Sequence, residues 1–297
     1  MRFVKRIFVF ALINILIIVT ISTVMSLLNV RPYLNANGLD YEQLAIFCAI
    51  WGMGGAFISL GISRMMAKWM MGVKVIKEPR SQAEIWLVST VHQMARRSGI
   101  EKMPEVGIYE SHDINAFATG PTKNRALVAV SSGLLNRLDK NAVEGVLGHE
   151  VAHIANGDMV TMTLVQGVMN AFVMFFARVI SYFLSSQVKE ENRHWVNFIA
   201  TIVLEIFLSF LAMFVVAYVS RMREFRADAG GAKLAGRDKM IGALEGLKKA
   251  YDPAHVKEEA QAHPAIASLK ISGRQGGLLS LLSTHPALDE RIARLRA

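Results

Sequence analysis

Four long apolar stretches alternate with polar, patterned segments along this chain. Residues 7–28 are apolar, with Asn14 as the one polar interruption. At about 22 residues this run is long enough to cross the hydrocarbon core of a bilayer. Arg2, Lys5 and Arg6 precede it, as they would a signal peptide. The run is too long for a signal-peptide core and no small-x-small cleavage site follows before Val30, so an uncleaved first span is expected. A second run, residues 44–63, holds Gly52, Gly54 and Gly55, which would let another helix come close. The third and fourth runs, residues 160–184 and 196–219, each contain one charge, Arg178 and Glu205. A polar loop with Lys189, Glu190, Glu191, Arg193 and His194 joins them. In a helical hairpin the two charges fall at similar depth and could pair. An ionisable group in such a segment is also a functional candidate, so a structural pair, an Arg178 that reaches the interface and a role in substrate handling all stay open. So does whether this hairpin spans fully.

The intervening segments read as mixed α/β. Ser81-Gln82-Ala83-Glu84 is a capping box opening a helix that carries Ile85, Val88, Val91 and Met94 and ends at Gly99. Short β-prone pieces follow at residues 106–109, 115–119 and 126–131. Asp139 suits the N-cap of the next helix. After residue 220 the pattern is polar and helical, broken by the glycines of residues 273–277. No internal repeat is evident. The chain therefore divides into residues 1–74, two spans and their flanks; 75–158, a soluble α/β part; 159–219, the apolar hairpin; and 220–297, a second polar part.

Composition sharpens this picture. Of 297 residues, 53% are hydrophobic and 19% charged, against about a quarter charged in an average soluble domain. The net charge of +9 could suggest nucleic acid, but many basic residues flank the apolar runs instead of gathering on a soluble surface. Arg2, Lys5 and Arg6 before the first run agree with Arg64, Lys68, Lys74, Lys77 and Arg80 after the second. Both place the N-terminus and everything beyond Lys74 in the cytoplasm under the positive-inside rule. Nucleic acid is not an expected partner; a lipid bilayer is. The single cysteine, Cys48, lies in an apolar run and reads as a small buried hydrophobe. It can form neither an internal disulfide nor a cysteine-rich metal site.

The chemistry lies in His149-Glu150-Val151-Ala152-His153. Two histidines at i and i+4 project from one helix face and can bind one metal ion without distorting the backbone. Zinc bound there makes water acidic enough to attack a carbonyl, and Glu150 is placed to take its proton and return it to the departing amine. Val143, Val146 and Leu147 suggest that the helix packs in a core, and Gly148 admits a close neighbour. A catalytic zinc needs a third protein ligand and one open position. Glu224 is the best candidate, directly after the fourth apolar run as the histidines directly precede the third. Asp228, one turn on, could orient a ligand histidine. Alternatively, Glu224 and Asp228 only balance Arg221, Arg223 and Arg226 at a membrane surface.

Taken together, these residues resemble the HtpX family of bacterial heat-shock membrane metalloproteases, within the larger M48 group that includes the Ste24 CAAX-prenyl proteases. The likeness covers nearly the whole chain. It rests on residues 113–120 (DINAFATG), 128–135 (VAVSSGLL), 149–158 (HEVAHIANGD), 224–229 (EFRADA) and 284–292 (THPALDERI). It implies a mainly α integral membrane protein of about four transmembrane helices with a cytoplasmic α+β zincin-like domain and a small sheet. It implies one Zn2+ per subunit on His149, His153 and Glu224, with Glu150 as base. It also implies that the strand at Asn115 borders the cleft, where a sheet edge receives an extended substrate and Asn115 holds its backbone. His285 would approach the site and stabilise an oxyanion, and Arg291 would brace that segment. The implied activity is endoproteolysis of misfolded or damaged membrane proteins, or unfolded polypeptides, at the cytoplasmic face of the bacterial inner membrane in a stress response. A specific processing protease of the CAAX type is one alternative, although that branch builds its chamber from more helices than this chain has room for. A non-catalytic scaffold retaining zinc is the other; an intact Glu150 and only three proposed ligands speak against it.

Overall fold

The computed structural model describes residues 41–250 and 285–297. The expected first span at residues 7–28 and the glycine-rich break at 273–277 lie outside the described residues. The chain forms two compact units. Among the described residues, one holds 41–61 with Thr161–Val216, and the other holds Ile62–Val160 with 217–250 and 285–297.

Among the described residues, the first unit consists of parts of three helices, α1 (Tyr41–Met70), α5 (Asp158–Ser186) and α6 (Glu190–Ala235). Among the described residues these three are long and apolar enough to cross a membrane. They turn large apolar side chains outward, including Phe172, Phe176, Phe207 and Ile206, which is 68% exposed. A soluble protein would bury such a surface; a bilayer covers it. Gly52 provides the close approach expected of it, because a Cβ there would sit 2.6 Å from the Ala171 nitrogen. The turn between α5 and α6 is only residues 187–189, shorter than the polar stretch suggested. Glu190 and Glu191 form the first turn of α6, where the exposed N–H groups of a helix N-terminus favour negative charge.

Polar pairs link α5 to α6 in layers. Arg178 Nη1 donates to Glu205 Oε1 at 2.9 Å, and Thr201 Oγ1 donates to Ser181 Oγ at 2.7 Å. Asn197 Nδ2 donates to Ser185 Oγ at 3.4 Å. The two intrahelical charges therefore pair with each other, and the Arg178 guanidinium also stands 5.8 Å over the Phe47 ring.

The second unit is a four-stranded sheet with helices packed on it. Its strands are β1 (Lys74–Val75), β2 (Glu105–Tyr109), β3 (Ala116–Thr119) and β4 (Leu127–Ser131), in the order β1-β2-β4-β3. β2 and β4 run parallel, and the outer pairs are antiparallel. β4 is wholly buried, as its unbroken Leu-Val-Ala-Val run requires, whereas β3 is a half-exposed edge strand. The helices are α2 (Gln82–Arg97), α3 (Ser132–Arg137), α4 (Lys140–Asn156), the C-terminal part of α6, α7 (Arg237–Ala250) and α8 (Leu288–Arg296). The main core joins Leu87 and Val91 of α2, Val128 and Val130 of β4, and Leu147, Val151 and Ile154 of α4. A smaller cluster seats Ile292 and Leu295 of α8 against Met240 and Leu244 of α7.

Candidate metal centre

Helix α4 starts where Asp139 accepts a hydrogen bond from the Ala142 N–H at 2.8 Å. It stops at Gly157, whose φ of 72° is the left-handed conformation that glycine adopts without strain. Between these caps it is buried on nearly every side. Helix α6 lies directly against it, since a Cβ on Gly231 would stand 2.9 Å from the His149 nitrogen. This approach brings the i, i+4 pair Glu224 and Asp228 to the i, i+4 pair His149 and His153.

The three candidate ligands converge. The Nε2 atoms of His149 and His153 are 3.0 Å apart. Glu224 Oε1 lies 3.4 Å from His153 Nε2, and Glu224 Oε2 lies 3.4 Å from His149 Nε2. A four-coordinate ion bonded at about 2.0–2.1 Å separates its ligand atoms by roughly 3.3 Å, so the triangle has the size of a metal site. Glu224 is 1% exposed and the two histidines 8% and 9%. The alternative that Glu224 merely offsets arginines at a membrane surface conflicts with this burial.

Hydrogen bonding determines which nitrogens face the metal position. His149 Nδ1 lies 2.9 Å from Asp228 Oδ1, and His153 Nδ1 lies 2.6 Å from Asp158 Oδ2. Carboxylates only accept, so each Nδ1 carries the proton and each Nε2 presents its lone pair inward. Two inward lone pairs and a carboxylate repel one another unless a cation sits between them. Without a metal, protons fill that role. Burial alone would depress the His153 pKa, but hydrogen bonds to Asp158 and Glu224 outweigh it and push it up to about 9. His149 is raised for the same reason: Asp228 and Glu224 override its burial.

Of the remaining candidates, Glu150 is 9% exposed and close enough to both imidazoles to act on their charge. His285 Nδ1 lies 3.0 Å from Glu224 Oε2, on a side chain 64% exposed. Arg291 turns to Asp228 with a two-pronged contact, Nε to Oδ2 at 2.8 Å and Nη2 to Oδ1 at 2.6 Å. Asn115 stands just before the edge strand, with its N–H on Ser131 Oγ at 3.1 Å and its side chain exposed. β3 itself packs on α4.

Two residues near the ligands were not singled out from sequence. Arg223 Nη2 donates to Glu224 Oε1 at 3.0 Å; the sequence suggests only one basic residue among several. Asp158 is the other, and its signal is a carboxylate immediately beyond the glycine that ends the histidine helix.

Comparison with known proteins agrees with this arrangement. Residues 81–297 match the model of peptidase family M48. A protease HtpX homolog of Methylacidiphilum infernorum is 50% identical over 297 residues, covering 98% of each chain. The protease HtpX homolog of Bacillus velezensis is 53% identical, and protease HtpX of Thioalkalivibrio sulfidiphilus 52%, each over 99% of both chains. The crystal structure of S. mikatae Ste24p is similar in fold, with a TM-score of 0.60 at 17% identity. That match takes in 96% of this chain and 65% of the Ste24p chain, so this chain spans a little under two thirds of its length. With a metal-sized cluster on an HExxH helix, three membrane-length apolar helices and half of all residues shared with these relatives, the chain belongs to peptidase family M48, as a membrane-bound metalloendopeptidase of the HtpX group.

Proposed function

We propose that the chain is a zinc endopeptidase of the bacterial inner membrane that cuts misfolded or damaged membrane proteins at the cytoplasmic face, as part of a stress response. The observation that carries the zinc assignment is the pair of Nε2 lone pairs held 3.0 Å apart beside Glu224, each imidazole committed through Nδ1 to a carboxylate. Nitrogen and oxygen donors in a closed triangle suit zinc. When bound, zinc polarises the scissile carbonyl and makes water acidic. The chain's own residues do the rest. Glu150 takes the proton from the attacking water and passes it to the leaving nitrogen. The outer edge of β3 pairs with an extended substrate, with Asn115 just before it holding the substrate backbone. His285, exposed and 3.0 Å from Glu224 Oε2 through its Nδ1, donates to the developing oxyanion. Arg291 holds the segment that carries His285. Basic residues at the ends of the apolar runs support cytoplasmic termini.

The test compares native chain, chelated chain and Glu150→Gln on an unfolded membrane-protein substrate. Glu150→Gln should retain one zinc per chain while turnover falls by about 10²–10⁴. Zinc retention with native turnover refutes the assignment. A reporter fused after Ala297 should read as cytoplasmic, and a periplasmic signal overturns the orientation.

A further inference from the structure

We infer that Asp158 is a positioning residue of the metal centre, the partner that aims His153 as Asp228 aims His149. The inference rests on the zinc-ligand reading above and adds a residue to it. Asp158 is 1% exposed, and its Oδ2 is 2.6 Å from His153 Nδ1. It reaches that ring because Gly157, in the left-handed region, turns the chain between the end of α4 and the start of α5.

The two carboxylate partners are not equivalent. Asp228 shares both its oxygens with the Arg291 guanidinium, so its charge is divided. Asp158 Oδ1 is buried and has no hydrogen-bond partner among the described residues. Its charge therefore falls undivided on His153, across a contact shorter than the 2.9 Å between His149 and Asp228. A buried oxygen left without a partner is costly. Its retention makes sense if the other oxygen keeps the Nδ1 proton in place and enriches the Nε2 lone pair for a cation. His153 is then the stronger nitrogen donor of the two.

The test uses the full-length solubilised chain and zinc itself, in competition with a chelating dye. Asp158→Ala should weaken zinc binding by about 10–100-fold. Asp158→Asn keeps the shape and an acceptor oxygen but not the charge, and should fall between Ala and native. Cobalt-substituted protein should show a shifted visible spectrum in the same order, a readout that a purely structural role leaves unmoved. Native affinity in both variants overturns this inference alone. A native chain that takes up no zinc overturns the ligand reading and this inference with it.

Discussion

Replacing Arg291 by methionine removes a guanidinium but keeps most of an apolar stem. Arg291 is 6% exposed and Asp228 2%, and the two contacts of 2.8 and 2.6 Å between them tie α8 to α6. After Arg291→Met, Asp228 stays buried with His149 Nδ1 as its remaining strong partner, 2.9 Å away. Breaking a buried pair by removing one partner costs about 3–5 kcal/mol. In a domain of 150–250 residues each kcal/mol moves the melting temperature by about 2–4 °C, so the metal-free chain should melt roughly 6–20 °C lower. Glu290→Gln provides the control: it breaks the exposed Arg294–Glu290 pair of the same helix, worth about 0.3–0.5 kcal/mol. The decisive variant is Arg291→Met with Asp228→Asn. The carboxamide is neutral and still accepts from His149, so at least half of the lost stability should return. Tryptophan fluorescence during heating of the solubilised chain follows this, since Trp86 packs against the core of that unit. A single variant that melts like the control, or a double variant no better than the single, refutes the reasoning.

Other outcomes follow from the same geometry. Because the hydrogen bonds to Asp158 and Glu224 push His153 up to about 9 and His149 is raised as well, zinc must displace protons at neutral pH, and its affinity should rise at least tenfold per pH unit up to about pH 9. Calorimetry in buffers of different ionisation enthalpy should show release of about one to two protons, and no release refutes the hydrogen-bond assignment. For the metal-free fold the sign is opposite: the raised pKa contributes stability fully present below the ordinary value of 6.5 and lost as pH rises through about 9. Melting temperatures of the chelated chain across that window check this. In the hairpin, Arg178→Leu should strand Glu205 and lower membrane insertion or folded yield, while Arg178→Leu with Glu205→Leu should recover it; equal defects in both would dismiss a structural pair. Gly52→Val should loosen α1 from α5, since the added Cβ meets backbone at 2.6 Å, and unaltered protease resistance of these helices would contradict that contact.

The local features were legible because neighbouring residues create them. The capping box forms as read, with Ser81 Oγ accepting from Glu84 N–H at 3.1 Å and Glu84 Oε2 accepting from Ser81 N–H at 3.2 Å. The three expected strands appear within a residue of their expected ends. β1 was not legible, because two residues after Gly72 carry no periodicity and exist as a strand only by pairing with β2. The end of the fourth apolar run at residue 219 is a boundary of composition and not of structure: α6 continues through Gly230 and Gly231 to Ala235 and ends before Gly236, whose φ is 108°.

For the metal centre, the order of residues alone establishes the two histidines on one helical face and the glutamate beside them, since an i, i+4 spacing fixes direction within a single turn. It also establishes which stretches are too apolar for water. Which carboxylate of the arginine-rich stretch after residue 219 meets the histidines depends on how α6 rotates against α4, and that is decided by packing at Gly231 and Ala152. The contact of Arg291 with Asp228 spans 63 positions, and Asp158 returns to His153 only through the left-handed turn at Gly157. Such contacts depend on long-range packing and on a left-handed turn, neither of which has a period in the sequence, so they become visible only once the helices are in place.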